Sequence, residues 1–420
     1  MSPELRQMPE RDAPPAAELR AEPSPVPGVS RNVFVLGWVS LASDIASEML
    51  YPLIPIFLTV TLGAPVAFLG LIEGVAEGTA SIMKVASGWY SDRLALRRPL
   101  VAAGYGLSAL GKLLLATAFH WPQVLFARAI DRFGKGVRTS PRDALIADSS
   151  LPEAYGRAFG FHRAADTAGA VLGPLIGLAF LTIAGEDNLR PVFLMAAVPG
   201  IASVALIAFV RDRRWPPQPT RQVKGGPRID LSGASAVFWM FLGISLLFAL
   251  GNSSDTFLIL RANDLGLSLT IVILMYVVYN TSYSLLSLPA GIAADRVGKR
   301  TLVTGGFFVY GLVYLGFALT GQGSVLWPLF LTYGVYMAFT DGQARALVAE
   351  LAPEEKRGTF LGLYHTGIGL MAVAASVLAG VLWDVVGKPA PFFLGASTAF
   401  AAAALMLLLP RQRAIHSWGR

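Results

Sequence analysis

The chain contains one short motif twice, and each copy lies between two long apolar stretches. The first copy begins at Gly88 and reads Gly-Trp-Tyr-Ser-Asp-Arg-Leu-Ala-Leu-Arg-Arg; the second begins at Gly291 and reads Gly-Ile-Ala-Ala-Asp-Arg-Val-Gly-Lys-Arg. The register is constant within the motif, because Asp92 and Asp295 are 203 residues apart, as the two glycines are. An internal repeat of this length in an apolar chain predicts two homologous helical bundles.

The composition is that of a membrane protein. Hydrophobic residues make up 54% of the chain and charged residues only 15%, whereas soluble domains carry about 25% charged residues. Twelve mostly apolar stretches fit between Val33 and Leu409, each long enough to cross a bilayer as a helix. The sequence therefore predicts an all-α membrane protein with about twelve transmembrane helices in two pseudo-symmetric six-helix bundles. The first stretch is predicted as Val33–Val60 and the seventh as Ala234–Leu260.

Segments rich in proline and charge divide the chain. Residues 1–30 lack the apolar core of a signal peptide and are predicted to form a disordered cytoplasmic tail. Residues 211–233 are predicted to link the two bundles, which occupy residues 31–210 and 234–410. Residues 411–420 are predicted to form a second, short cytoplasmic tail.

The connections between the apolar stretches alternate between strongly basic and nearly neutral. The positive-inside rule places the basic connections and both termini in the cytoplasm, so we expect a multi-pass protein of the inner membrane. This placement also explains the net charge of +7 without a nucleic-acid partner. The chain has no cysteine, which excludes disulfides and thiolate metal sites.

Each copy of the repeated motif suits a helix end followed by a tight turn. Glycine lets helices pack closely, and an aspartate can hold a helix N-terminus or an arginine. The pattern predicts a cytoplasmic latch that breaks and reforms, whereas Arg97 and Arg98 are expected only to set topology. The predicted gate comprises Gly88, Asp92, Arg93, Arg142, Asp143, Arg163, Gly291, Asp295 and Arg296.

The repeated motif resembles the loop motif of the major facilitator superfamily, which lies between helices 2 and 3 and again between helices 8 and 9. The resemblance covers roughly Val33 to Leu409, although Ala95 stands where the family usually has glycine. Two further stretches, residues 43–52 and 134–145, resemble a poorly characterised prokaryotic branch. The resemblance implies a secondary transporter that works by alternating access.

A glycine-rich motif lies in the fifth apolar stretch, where Gly169, Gly173, Pro174 and Gly177 form the pattern Gly-x-x-x-Gly-Pro-x-x-Gly. Close glycine spacing permits tight helix packing, and the proline bends a helix. The pattern resembles the antiporter motif of the superfamily, which marks exporters. The alternative is an ordinary packing face of small residues.

Two acids in the first stretch, Asp44 and Glu48, are four residues apart and therefore share one helix face near the midplane. Charged groups at this depth are costly and must face a cavity or a partner. Because two carboxylates on one face repel, one of them is a good candidate to bind and release a proton. The alternatives are a static hydrogen-bonded pair, a pair neutralised by a neighbouring arginine, a site for a cationic substrate, or a metal site.

Other polar residues within the stretches complete the predicted proton and substrate site. Asp255 is expected to face the two acids across a cavity. His365 lies at the repeat position of Arg163, so both are candidates for the inner gate. For His365 the other interpretations are a structural hydrogen-bonded histidine and a proton or substrate site. Structural ion pairs are the alternative for Glu77 and Arg128, and a packing stripe is the alternative for the tyrosines. The predicted site comprises Asp44, Glu48, Glu77, Arg128, Asp131, Arg132, Asn252, Asp255, Tyr279, Asn280 and His365.

These features predict a monomeric, proton-coupled efflux antiporter for a small organic substrate, driven by the proton gradient without a cofactor. One alternative is a divalent metal exporter that uses Asp44, Glu48, Asp255 and His365 as ligands. Uptake of an organic anion is less favoured, because the antiporter-like motif argues against it. A non-transporting membrane enzyme or sensor is disfavoured, since the sequence has no phosphate-binding loop.

Overall fold

The computed structural model describes most of the chain. The described residues are 24–51, 53–54, 57–63, 67–94, 97–184, 189–211, 231–253 and 255–410. The predicted tails therefore lie largely outside the described residues, as does most of the predicted linker. Throughout the described ranges the regular secondary structure is helical, which confirms the predicted all-α fold.

The described part of the N-terminal half contains six long helices. They are α1 (Arg31–Glu48), α2 (Ala67–Leu94), α3 (Arg98–Ala116), α4 (Trp121–Asp148), α5 (Tyr155–Ala184) and α6 (Arg190–Ile207). A short π-helical turn, Phe57–Thr61, follows α1.

The C-terminal half repeats this arrangement, except that its first span is divided into two helices. They are α7a (Ala236–Gly251), α7b (Thr256–Asp264), α8 (Leu269–Val297), α9 (Lys299–Leu319), α10 (Leu326–Leu351), α11 (Arg357–Val385) and α12 (Ala390–Leu408).

Two of the predicted spans contain shorter helices than expected. The α-helix of the first span ends at Glu48, and the helix of the seventh is interrupted after Gly251. These two residues are 203 positions apart, so the interruptions fall at equivalent places in the two halves. The sequence accounts for both, because prolines stand at positions 52 and 55 and a Gly-Asn-Ser-Ser run begins at position 251.

Within the described ranges, the most extensive contacts between the two halves are made by two pairs of helices. The pair α2 and α11 forms one contact, and the pair α5 and α8 forms the equivalent contact. In the first pair, close approaches run from the end of α2 that carries Asp92 to Ser81, about halfway along that helix, where Thr366 donates to the Ser81 carbonyl at 2.8 Å. We call the side of the molecule that carries Asp92 and Asp295 the gate side.

Several helices have the length and apolarity of membrane spans. Among the described residues, five segments meet both criteria: α3, α6, α9, α12 and the segment Glu354–Trp383, which contains most of α11. Other long helices carry more charged residues, α4 above all. Because a charge at membrane depth needs a cavity or a partner, these charged helices are where a functional site is expected.

Candidate functional site

The first latch joins Asp92, in the last turn of α2, to the N-terminus of α11. The backbone N–H groups of Gly358 and Thr359 donate to the Asp92 carboxylate at 3.0 and 2.6 Å. The Thr359 hydroxyl donates to the same carboxylate at 2.7 Å. A helix N-terminus has unpaired N–H groups and a partial positive charge, so it is a favourable partner for a carboxylate.

The second latch has the same geometry in the other copy of the repeat. The backbone N–H groups of Gly156 and Arg157, at the start of α5, donate to the Asp295 carboxylate at 2.8 and 2.9 Å. Each half therefore contributes one carboxylate and one helix N-terminus to the contact between halves.

The motif glycines allow the helices to approach this closely. A Cβ atom added at Gly88 would lie 2.1 Å from the carbonyl oxygen of Gly358, and one added at Gly291 would lie 2.2 Å from that of Gly156. No side chain fits at such distances, so both latches depend on glycine at these positions.

Arg97 has a larger role than the sequence suggested. It was expected only to set topology, but it is buried and pairs with Asp92 at 2.8 Å and with Asp148 at 2.5 Å. Asp148 also pairs with Arg357 of the other half at 3.0 Å. A continuous chain of ion pairs thus closes the gate side. Local sequence could not reveal its links through Asp148, because Asp148 is 51 residues from Arg97 and 209 from Arg357.

Two arginines predicted as gate residues point away from the latches. Arg93 is exposed and stacks on the Trp89 ring, with its guanidinium carbon 5.4 Å from the ring centroid. Arg296 is also exposed. Both follow the latch aspartate directly, so the helical rotation of about 100° per residue turns them away from the partner helix.

A second network of charges crosses between the halves deeper in the molecule. Arg163 of α5 forms an ion pair with Asp341 of α10 at 2.8 Å. Arg345 lies 2.7 Å from Asp341 and 3.8 Å from Asp143 of α4. His365 of α11 forms a hydrogen bond with Asp143 at 2.8 Å. The network therefore ties α4 and α5 of one half to α10 and α11 of the other.

Asp143 is the centre of this network. It is fully buried, and it also accepts hydrogen bonds from Arg142 at 3.0 and 2.9 Å. His365 is therefore engaged by Asp143 in the contact between the halves, which is the arrangement expected of an inner-gate or structural histidine. The rotation of α11 decides this, and the repeat position alone did not specify it.

The acid pair lies directly against the glycine-rich motif. A Cβ atom added at Gly169 would lie 2.7 Å from the Cβ of Asp44, and one added at Gly173 would lie 2.7 Å from the Cβ of Glu48. The four-residue spacing of the glycines on α5 thus matches the four-residue spacing of the acids on α1. An added Cβ at Gly177 would continue this contact, 3.2 Å from the carbonyl oxygen of residue 49. Both acids are half-buried.

We expect Gly173→Ala to destabilise the protein by about 1–3 kcal/mol, because a methyl group here overlaps α1 beneath Glu48. Thermal unfolding in detergent measures the effect. Gly106→Ala is the matched control, since nothing lies within 4 Å of its added Cβ; it should be neutral or slightly stabilising. Equal unfolding temperatures for the two variants would contradict the packing.

The acids have charged surroundings but no direct partner in the described part of the chain. Neither Asp44 nor Glu48 forms a side-chain hydrogen bond or ion pair with a residue that the structure describes. The charges that act most strongly on Asp44 are the carboxylates of Asp166 and Glu48 and the cations of Lys135 and Arg138. Charges of both signs therefore act on Asp44 without direct contact, so its protonation is sensitive to its charged neighbours.

Arg128 and Asp131 belong to a structural ion pair. Asp131 binds the buried Lys112 of α3 at 3.0 Å and lies 3.6 Å from Arg128. With Ser47 and Gly111, these residues line a small recess between α1, α3 and α4. The sequence analysis did not include Lys112, although a lysine in an apolar stretch is itself a signal for a buried partner.

Arg132 and Glu77 are the remaining predicted residues of the N-terminal half. The charge of Arg132 acts on Glu48, so Arg132 belongs to the surroundings of the acid pair. The side chain of Glu77 lies outside the described residues.

Asp255 lies in the interruption between α7a and α7b and is held by tyrosines. Tyr333 donates to one carboxylate oxygen at 2.7 Å, and Tyr279 donates to the other at 3.4 Å. Asn252 donates to the Tyr336 hydroxyl at 3.3 Å. Tyr333 and Tyr336 were not predicted, because their part in the site depends on how α10 faces the interruption in α7.

Asn280 differs from its predicted role in substrate binding. It is buried and donates to the Tyr276 carbonyl one turn earlier in α8, at 3.0 Å. An amide that satisfies the backbone of its own helix is a structural feature, so Asn280 is not a cavity-lining residue in this conformation.

The four residues of the alternative metal site are not assembled. His365 contacts Asp143 between the halves, whereas Asp44 and Glu48 lie on α1 and Asp255 is enclosed by tyrosines. Within the described ranges, no group of three or more histidine, aspartate or glutamate side chains is arranged to hold a metal ion.

The sequence of the chain is similar to those of known proteins. A family model described as Major Facilitator Superfamily matches residues 36–261 and 240–418. An uncharacterised MFS-type transporter of Methanocaldococcus jannaschii is 36% identical over 386 residues, covering 90% of this chain and 95% of the relative. The multidrug resistance protein MdtH of Salmonella newport is 24% identical over 340 residues, covering 80% of this chain and 83% of that protein.

The fold also matches solved structures. The crystal structure of the human organic anion transporter MFSD10 superposes with a TM-score of 0.72 at 18% sequence identity. The match covers 90% of this chain and 99% of the human chain. Identity at this level supports the shared fold of two six-helix halves and carries no information about the substrate.

Proposed function

The chain belongs to the major facilitator superfamily, and we propose that it is a proton-coupled efflux antiporter for small organic substrates. Family membership makes it a multi-pass membrane transporter and not an enzyme. We place it in the cytoplasmic membrane as a monomer, with the gate side and both termini in the cytoplasm, as the basic connections favour. The proton gradient supplies the energy, and no cofactor is needed.

One observation carries the proposal: the acid pair Asp44 and Glu48 is half-buried, unpaired among the described residues and packed on Gly169 and Gly173. A carboxylate at membrane depth is tolerated when water or a ligand reaches it. The contacts between the halves on the gate side support a conformation whose central cavity opens on the opposite side. In that conformation the acids could exchange protons with the exterior.

Proton binding at the acids can be coupled to the gate through charges. Asp166 acts electrostatically on Asp44, and it also pairs with Arg163. Arg163 in turn pairs with Asp341 of the other half at 2.8 Å. Protonation of Asp44 would change the electrostatic potential at Asp166 and Arg163. The strength of the ion pairs between the halves would then depend on whether Asp44 carries a proton.

The direction of transport rests on two supporting features. The glycine-rich motif at Gly169–Gly177 resembles the motif of exporters, and it packs on the proposed proton site. The relative MdtH carries the name of a multidrug resistance protein. Both favour export of an organic compound in exchange for an entering proton.

A transport assay tests the proposal with the full-length chain in proteoliposomes that contain a pH-sensitive dye. We expect an imposed pH gradient to drive the movement of at least one organic compound from a panel of ethidium, benzyltrimethylammonium, benzoate and glucose. Each productive compound should also discharge the gradient. Flux of these compounds that ignores the pH gradient, or gradient discharge by Mn²⁺ alone, would overturn the proposal.

A further inference from the structure

The C-terminal half contains a carboxylate that lacks a cationic partner among the described residues. Asp255 accepts hydrogen bonds from two tyrosine hydroxyls, at 2.7 and 3.4 Å, and no lysine or arginine of the described ranges pairs with it. It stands directly before α7b, whose N-terminal dipole favours a negative charge. Buried charges in proteins are usually paired, so a partly buried carboxylate without a fixed cationic partner is available to a cation from outside the protein.

The tyrosines around Asp255 form a rigid aromatic wall. The rings of Tyr279 and Tyr333 are 5.2 Å apart, and those of Tyr333 and Tyr336 are also 5.2 Å apart. Tyr276 packs edge-on against Tyr279 at 5.2 Å. The faces of tyrosine rings attract cations, and organic ammonium groups in particular.

The members of this wall divide into two layers. Tyr279, Tyr333 and Tyr336 are buried, so they position Asp255 and do not meet a ligand first. Asp255 and Tyr276 are half-buried, and they are therefore the surfaces that a ligand can reach.

The acid pair also acts on Tyr276. The charges of both Asp255 and Glu48 influence its hydroxyl. A cation beside Tyr276 would therefore be attracted by a carboxylate of the C-terminal half and by one of the proton-site acids. Two acids and an aromatic face define a site for a positively charged organic group.

This donor set does not suit a metal ion. Both carboxylate oxygens of Asp255 already accept tyrosine hydrogens, and a divalent ion would require several more oxygen ligands around it. An organic cation needs only one accessible carboxylate edge and an aromatic face, so it fits the chemistry present.

We propose that Asp255 and Tyr276 bind the ammonium group of an organic cation, which is the substrate class of this transporter. This assignment rests on the proposed efflux function and narrows it. Glu48, on the facing helix α1, would share the same cation, so proton binding at the acid pair and cation binding would compete. That competition is the exchange that an antiporter requires.

Equilibrium dialysis tests the site with the full-length protein in lipid nanodiscs. The probe is radiolabelled benzyltrimethylammonium, with neopentylbenzene as its uncharged isostere and benzoate as an anion. We expect saturable binding of the cation alone. Asp255→Asn should weaken this binding at least about tenfold, because the charge is lost, and Tyr276→Leu should weaken it about fivefold.

Two further variants test which property of each side chain causes the loss of cation binding. Tyr276→Phe keeps the aromatic ring and should recover most of the affinity that Tyr276→Leu loses. Asp264→Asn is a control that changes the aspartate at the far end of α7b. The Lys388 ammonium holds the pKa of the Asp264 carboxyl below its usual value, so this substitution also removes a charged group. It should leave binding unchanged. Size-exclusion profiles establish that each variant is folded.

The possible results distinguish a failure of the cation site from a failure of the proposed transport function. If Asp255→Asn binds the cation as well as the unsubstituted protein does, the cation site is overturned and the antiporter proposal stands. The same conclusion follows if other compounds show proton-driven flux and the cation does not bind. Cation binding that depends on Asp255 without any pH-driven flux supports the site and overturns the antiporter.

Discussion

Asp44→Asn should reduce transport driven by a pH gradient by more than about 100-fold, the scale of losing an essential proton-transfer group. The substitution keeps the shape of the side chain and removes its ability to bind and release a proton. Folding should be preserved, because Asp44 forms no side-chain hydrogen bond or ion pair with the residues that the structure describes. Flux in proteoliposomes, with and without a pH gradient, measures the effect.

Asp44→Asn also distinguishes proton-driven transport from substrate exchange. Exchange of substrate for substrate across the vesicle membrane needs no net proton movement, so this exchange should persist in Asp44→Asn. Asp264→Asn, at the end of α7b, should leave both activities unchanged. If pH-driven flux in Asp44→Asn equals that of the unsubstituted protein, Asp44 is not the coupling residue, and Glu48→Gln becomes the decisive comparison.

Gly88→Val should prevent closure of the gate side and lower flux by at least about tenfold, which corresponds to about 1.4 kcal/mol against the closed state. The added Cβ atom alone would lie 2.1 Å from the Gly358 carbonyl oxygen, so α2 and α11 must separate. The Asp92 latch would then lose its hydrogen bonds to the N-terminus of α11. Gly291→Val should act similarly on the contact between α8 and α5.

The chain has no cysteine, so introduced cysteines report on this separation without interference. Spin labels at Arg93→Cys and Glu354→Cys lie on opposite halves beside the α2–α11 contact. We expect Gly88→Val to lengthen the distance between the labels. Gly78→Val, on the same helix with nothing within 4 Å of its added Cβ, should leave the distance unchanged. An unchanged distance in Gly88→Val would contradict the latch.

Much of the architecture is encoded locally. The number of spans, their helical nature and the duplication follow from apolar stretch length and from the constant 203-residue register. The pairing of a repeated aspartate with a helix N-terminus was also a prediction, and the structure places Asp92 and Asp295 in that arrangement. The apolar stretches and the repeated aspartates are visible in short segments of sequence, whereas the helices that the aspartates bind, α11 and α5, lie in the opposite halves.

Partners that come from distant segments could not be predicted in the same way. Arg97 looked like a topology signal but joins Asp92 to Asp148. His365 was a candidate both for the inner gate and for the central site, and it contacts Asp143. In each case the partner depended on the rotation of one helix against another, which the sequence does not specify.

By itself, then, the sequence determined that two homologous bundles of helices cross a membrane and that acids lie at membrane depth on one face of the first helix. The tertiary structure alone decided which glycines those acids rest on, and that the tyrosines of α8 and α10 enclose Asp255. The physical reason is that periodicity fixes the depth and face of a residue along its own helix. The neighbour it meets is set by how helices rotate and pack, which is a property of the whole bundle.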